Sequence, residues 1–270
     1  MTAFETPGHV VLRVTVPSGE VTIQTWDEPR VDVDLVPLRD NDATRQLLGD
    51  TRVEMLDRGG SHEILVEAPK NMGSLLGRGP RIGVRVRCPN ASDLTLRSGS
   101  ADLAVTGTLG VVEVKSASGD VALEDAASLD VATASGDIEV RDVAGSVSVK
   151  TASGDVSVRR CSGPLSTNLV SGDLSVAEAG AGLSVTTVSG GVDVRAAGGG
   201  NMRVQAVSGD VRIGIKPGEQ LYIDATSVSG TMSSELDLED ASPSAGPVVE
   251  LRARTVSGDV QIIRAAAVRA

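Results

Sequence analysis

Apolar and polar residues alternate along most of the chain in short stretches, each tied to one dipeptide. Ser-Gly recurs with its serine at 98, 118, 135, 153, 171, 189, 208, 229 and 257, at intervals of 20, 17, 18, 18, 18, 19, 21 and 28 residues. Asp120, Asp137, Asp155, Asp173, Asp210 and Asp259 follow it, while Ser100, Gly191 and Thr231 break the pattern. Three and five residues after the serine stand Val121 and Leu123, Ile138 and Val140, Val156 and Val158, and Leu174 and Val176. Six, four and one residues before it stand Val147, Val149 and Ala152, then Leu183, Val185 and Val188, then Met202, Val204 and Val207. Period-two alternation marks strands with one buried face, and its change of phase at Ser-Gly-Asp marks corners. This spacing predicts that all these apolar positions point inward.

Strands this short, returning to equivalent positions at a fixed period, fit a coil better than a meander of hairpins. The pattern predicts an all-β, single-stranded parallel β-helix (a β-solenoid) with about 18 residues per circuit. Successive circuits then pair in parallel about 4.8 Å apart, and equivalent Val and Leu residues pile into ladders. The usual hand of crossovers between parallel strands predicts a right-handed coil. At the corners, Gly119, Gly136, Gly154, Gly172 and Gly209 either take φ > 0 or sit where circuits approach closely. Asp120, Asp137, Asp155, Asp173 and Asp210, with their serines, are expected to bond turn backbone.

The chain divides, on this reading, into an irregular N-terminal β region at 1–97 continuous with the solenoid, the regular repeat at 98–264 and a tail at 265–270. Ser18-Gly19-Glu20, with Val21 and Ile23 after it, keeps the same register and predicts a first circuit over 10–37. Residues 40–49 predict a short helix with an Asp or Asn cap and a terminal Gly49. Strands are expected at 52–56 and 62–67, and loops at 70–80 and 239–247.

Composition narrows the function. Only Phe4, Trp26 and Tyr222 are aromatic, so the interior must be built from Val, Leu, Ile and Ala. A net charge of −11 repels phosphate backbones and anionic lipid surfaces, which argues against nucleic-acid binding. No secretory signal is visible at the N-terminus and no apolar run is long enough to span a membrane. A cytoplasmic protein is expected; a chain trimmed of a signal or anchor, and so from the cell surface, would read the same. Cys88 and Cys161 read as two small buried thiols, with one bridge between them left open.

Candidate chemistry is sparse. His9 and His62 are the only histidines and lie outside the repeats that supply most serines, so no catalytic triad, zinc site or other cofactor site is expected. Stacked aspartates raise the question of calcium, but the Gly-Gly-x-Gly-x-Asp nonapeptide is missing, and solvated turn aspartates are the simpler reading. Arg78, Arg81, Arg85 and Arg87 cluster around a Gly-rich loop and form a candidate patch for an anionic partner, set against arginines that merely alternate outward. An enzyme acting on carbohydrate would need aromatic platforms and a carboxylate pair, which argues against catalysis.

The repeated Ser-Gly-Asp-Val-x-Val followed by Gly-x-Leu-x-Val-x-Thr, best seen in Ser153–Val170 and Ser171–Val188, resembles the bacterial β-strand-repeat "putative adhesin" family, an uncharacterised domain family. The resemblance covers about 98–264 well and 10–97 loosely. It implies a β-helical fold and a bacterial source, with no catalytic residues to carry over. Three roles follow: a structural or interaction module binding another protein, a self-assembling scaffold resembling bactofilins, and, least favoured, a carbohydrate-active enzyme.

Overall fold

The computed structural model describes residues 1–69, 79–217, 220–235 and 248–265. The predicted loop at 239–247, most of that at 70–80, and the tail beyond 265 lie outside them. The chain forms two compact units, Met1–Asp137 and Ile138–Ala270. Each is a stack of parallel β circuits with an aliphatic interior, the architecture predicted from the repeat.

Unit one contains β1 (Thr2–Glu5), β2 (His9–Trp26), β3 (Arg30–Pro37), α1 (Asp42–Asp50), β4 (Arg52–Asp57), β5 (Ser61–Glu67), β6 (Ile82–Pro89), β7 (Asp93–Ser118) and β8 (Val121–Thr133). The long strand β2 makes the first circuit and lies inside the stack. It pairs in parallel with β5 and β6 on one side and with β7 on the other. The circuit expected over 10–37 therefore closes at Trp26. After Asp27-Glu28-Pro29 the chain reverses, and β3 runs antiparallel to both β6 and β1. Strand β4 likewise runs antiparallel to β5.

Helix α1 packs on β3 and β6 through buried Thr44 and Leu47. Its N-cap is Asn41, whose side chain accepts from the Thr44 N–H at 2.7 Å. Gly49 does not terminate it as predicted. It sits inside the last turn, and the helix ends at Thr51, whose N–H reaches the Leu48 carbonyl.

Unit two contains β9 (Ile138–Val143), β10 (Val147–Ser153), β11 (Val156–Cys161), β12 (Leu165–Ser171), β13 (Leu174–Ala179), β14 (Leu183–Ser189), β15 (Val192–Ala197), β16 (Met202–Ser208), β17 (Val211–Ile215), β18 (Gln220–Ser229), β19 (Met232–Ser234), β20 (Val248–Ser257) and β21 (Val260–Arg264). Two parallel sheets result. One stacks β10, β12, β14, β16, β20 and β18; the other stacks β9, β11, β13, β15, β17, β21 and β19. Spatial order departs from chain order at one point: the circuit at 248–264 inserts between 202–215 and 220–234.

The corner glycines meet both demands foreseen for them. Gly172 has φ +125, and a Cβ there would lie 2.2 Å from the Gly154 carbonyl oxygen of the circuit below. At Gly190 φ is +136 and the same clash, with Gly172, would be at 2.0 Å. No L side chain satisfies either condition.

The aspartates bond differently from the expected local turns. The Asp173 N–H donates to Asp155 Oδ1 at 2.8 Å, and the Gly191 N–H to Asp173 Oδ1 at 2.7 Å, each pair 18 residues apart. Asp102, Asp120 and Asp137 are linked the same way in unit one. Each carboxylate thus fastens one circuit to the next. Near the end of unit two the chain of bonds runs from Asp210 to Asp259 and then to Thr231, following spatial rather than sequence order.

These bonds also correct the alignment of the first repeat. Ser100 pairs with Ser18, Ala101 with Gly19 and Asp102 with Glu20. The corner is therefore Ser100-Ala101-Asp102, and Ser98-Gly99 lies two residues upstream within β7. The apparent interval of 20 residues is then the regular one, with Asp120 bonded to Asp102 18 residues earlier.

Candidate functional site

A second correction exposes a surface. Strict alternation puts the residues six, four and two before each corner serine inside, so Thr151, Leu169, Thr187, Ala206 and Thr255 are buried. The residues one before it face out. Val170 is 53%, Val188 47%, Val207 50%, Val256 51% and Val228 77% exposed. The sequence pattern suggests the reverse because the position two before is often threonine. Thr133, Thr151 and Thr255 are tolerated inside because each Oγ1 donates to the carbonyl of the corner serine two residues on, at 2.8, 2.9 and 3.2 Å. Thr187 Oγ1, at the same position, has no such partner.

The five valines align in register, since Ser171, Ser189, Ser208, Ser257 and Ser229 pair in succession beside them. They form one apolar edge of the outward face of the sheet β10–β12–β14–β16–β20–β18. The next outward column inward from that edge is polar: Asn168, Thr186, Gln205, Arg254 and Thr226. The far column carries Ser166, Ser184, Arg203, Arg252 and Asp224.

At that far column the corners are rich in glycine: Gly180 and Gly182 before β14, and Gly198, Gly199 and Gly200 before β16. Beside Gly182 lies a groove of about 390 Å³, lined among others by Ser166, Ser184, Asn201, Arg203, Glu250 and Arg252. Arg252 is held by Glu250 at 2.5 Å, and Arg254 lies 3.6 Å from Asp224.

The other sheet of unit two carries an ion ladder instead. Arg160 stands in register between Asp142 and Glu178, at 3.4 and 3.6 Å, and Lys216 adds a contact to Glu178 at 3.6 Å. Exposed pairs of this kind contribute little each and mainly fix register.

Of the arginines singled out by sequence, Arg85 and Arg87 lie on β6 and Arg81 just before it. Arg78 lies outside the described residues. The Arg81 N–H donates to Thr44 Oγ1 and so ties β6 to α1. Arg85 and Arg87 point outward from β6, in register with Asp34 and Asp32 of β3. Arg87 Nη2 is 2.8 Å from Asp32 Oδ2, and Arg30 Nε is 3.0 Å from Asp32 Oδ1. Asp32 is only 3% exposed. The two guanidinium groups also lie 4.7 and 5.0 Å from the ring of Trp26, whose Nε1–H donates to the Arg30 carbonyl. This Trp26–Arg30–Asp32–Arg87 cluster fastens the reversed strand β3 to the first circuit. Sequence spacing gave no sign of it, because its members come from three strands.

His9 Nε2 lies 3.3 Å from Asp93 Oδ2, and the other oxygen of Asp93 accepts the Val111 N–H. His62 lies on β5, in register with Val10. Cys88 and Cys161 are free and buried. Burial pushes the Cys88 thiol up to about 11, against a smaller opposing effect of its bond with Ser92. Cys161 is also raised by burial. Among the described residues no cluster of His, Cys, Asp or Glu is arranged to hold a metal ion, and no helix is long and apolar enough to cross a membrane.

A family model described as Toastrack DUF4097 matches residues 9–204 and again 165–263. The chain belongs to the Toastrack DUF4097 family. The double match spans the Ser-Gly-Asp repeats of this Toastrack chain. Among solved structures, similar chains include a "putative adhesin" of Parabacteroides distasonis, at 14% identity over 97% of this chain and 95% of that one, with a TM-score of 0.42. Another is a "putative adhesin" of Bacteroides fragilis, at 11% identity over 97% and 95%, TM-score 0.36. A "putative cell adhesion protein" of Clostridium sporogenes follows at 8% identity over 97% and 98%, TM-score 0.29. No curated protein matches this Toastrack chain.

Proposed function

We propose that this Toastrack protein is a non-catalytic interaction module that holds another macromolecule, in adhesin fashion, on the outward face of the sheet β10–β12–β14–β16–β20–β18. The in-register ladder Val170, Val188, Val207, Val256 and Val228 carries this reading. Single exposed aliphatics are ordinary, but five neighbours at about 4.8 Å spacing make a continuous apolar strip roughly 19 Å long. A flat, rigid face also binds with little ordering cost. One oxygen of each corner aspartate in the bonded pairs is committed to a backbone N–H of the adjacent circuit, a structural use of that group.

The test is photo-crosslinking in the cells that make the protein, from a diazirine amino acid at position 188 and, as control, at position 157 on the other sheet. A discrete adduct from 188, absent from 157 and lost on changing Val170 and Val207 to lysine, is expected. No discrete adduct from 188 would remove the support for the face. An adduct with a second copy, matched by a concentration-dependent dimer in sedimentation, would assign the face to self-association instead.

A further inference from the structure

We infer that the groove lined by Arg203 and Arg252 at this face is a carboxylate site, and that the partner is a protein segment presenting an acidic side chain about four residues from an apolar one. The inference rests on the interaction face proposed above and names what it recognises.

Arg203 and Arg252 stand directly opposite each other on paired strands β16 and β20. Two arginines on strands about 4.8 Å apart repel unless an anion lies between or beside them. Glu250 bonds Arg252 at 2.5 Å and offsets one charge. Arg203 has no ion-pair partner among the described residues. The groove therefore holds one positive charge in excess, on a chain whose net charge is −11. Such a local field selects an anion.

The remaining groups narrow its class. Ser166, Ser184 and Asn201 line the same groove and can donate hydrogen bonds beside Arg203. One excess charge with a carboxylate already present matches a singly charged carboxylate; a dianionic phosphate would meet Glu250. No aromatic side chain lines the groove itself, and Tyr222, in register with Glu250, stands one strand further out. Along β16, Arg203 and Val207 are four residues apart on the same face, a separation of about 13 Å in a strand. An extended peptide with the same spacing places its carboxylate on Arg203 as its apolar side chain meets the valine ladder.

The probe is the peptide acetyl-Glu-Ser-Thr-Ser-Val-amide, titrated into the full chain while the arginine Nε–Hε signals are followed by NMR. Its glutamine counterpart and inorganic phosphate serve as comparisons. Saturable shifts at Arg203 and Arg252, at least tenfold tighter for the Glu peptide than for the Gln peptide, are expected. In Arg203→Gln the difference should vanish while the thermal melt stays unchanged. Equal binding of both peptides, binding of neither, or tighter binding of phosphate overturns the carboxylate site. If the adduct from position 188 survives in Arg203→Gln at undiminished yield, the interaction face stands and the carboxylate site falls.

Discussion

Replacing Gly172 by alanine tests whether the corner glycines serve backbone conformation alone or also circuit spacing. The new Cβ faces two costs. At φ +125 an L residue is strained by roughly 1–3 kcal/mol. The Cβ would also sit 2.2 Å from the Gly154 carbonyl oxygen, so the circuits must separate by about 1 Å to reach van der Waals contact. That separation stretches the bonds between neighbouring circuits at the corner, including Asp173 N–H to Asp155 Oδ1. With about 1 kcal/mol for each of two weakened bonds, the total comes to roughly 3–5 kcal/mol. Two controls separate the terms. Gly60 has φ +111 but nothing within 4 Å of its Cβ position, so Gly60→Ala reports strain alone. Gly182, with φ +75 and its nearest atom 3.3 Å away, should cost about 1 kcal/mol. Urea denaturation followed by circular dichroism, with amide hydrogen exchange assigning the loss to each unit, provides the readout. If Gly172→Ala costs no more than Gly60→Ala, circuit spacing plays no part in the choice of glycine.

Other substitutions follow from the same contacts. Asp173→Asn keeps an oxygen that can accept the Gly191 N–H, whereas Asp173→Ala loses it; only the alanine should cost about 1 kcal/mol and speed exchange of the Gly191 amide. Val185→Thr buries an unpaired hydroxyl and should cost about 1–3 kcal/mol in a thermal melt, while Val188→Thr, half exposed, should stay within about 0.5 kcal/mol. Asp32→Ala leaves Arg30 and Arg87 without their shared carboxylate. A loss of about 2–3 kcal/mol is expected, reduced from the fully buried case because both arginines are partly exposed, with a shift in Trp26 fluorescence. For Cys88 the fold favours the neutral thiol, so its contribution is complete below pH 9.0 and is lost as pH rises toward about 11. Over that window stability should fall by roughly 2–3 kcal/mol, a slope that Cys88→Ala reduces to the part left by Cys161 in urea titrations at successive pH values.

Much of the architecture is written locally. Val156 and Val158, or Leu174 and Val176, alternate as half-buried strands must, and glycines such as Gly172 and Gly190 mark their corners because a Cβ there would meet the circuit below. The helix near residue 42 is legible from its Asn cap. On the candidate face the local pattern and the structure disagree. Threonine two before the corner looks like a surface residue, and valine one before it looks like core. Strict alternation along each strand decides it, and Thr151 and Thr255 are accommodated inside by a bond to the serine carbonyl that exists only once the corner has formed. Likewise Ser98-Gly99 resembles a corner, and only its pairing partners show that Ser100-Ala101-Asp102 is the real one.

What the sequence determined by itself, then, was the repeating unit: its period, its corners and the aliphatic composition of its interior. Those follow from steric and hydrophobic rules that act over a few residues. The tertiary structure alone decided the order of the circuits, with β2 held between later strands and the 248–264 circuit inserted ahead of its predecessor. It also decided the gathering of Trp26, Arg30, Asp32 and Arg87, and the meeting of Arg203 with Arg252. Near-identical circuits can pair in several orders at similar local cost. The order is fixed by contacts between residues far apart in the chain, such as Asp210 and Asp259, which no local pattern records.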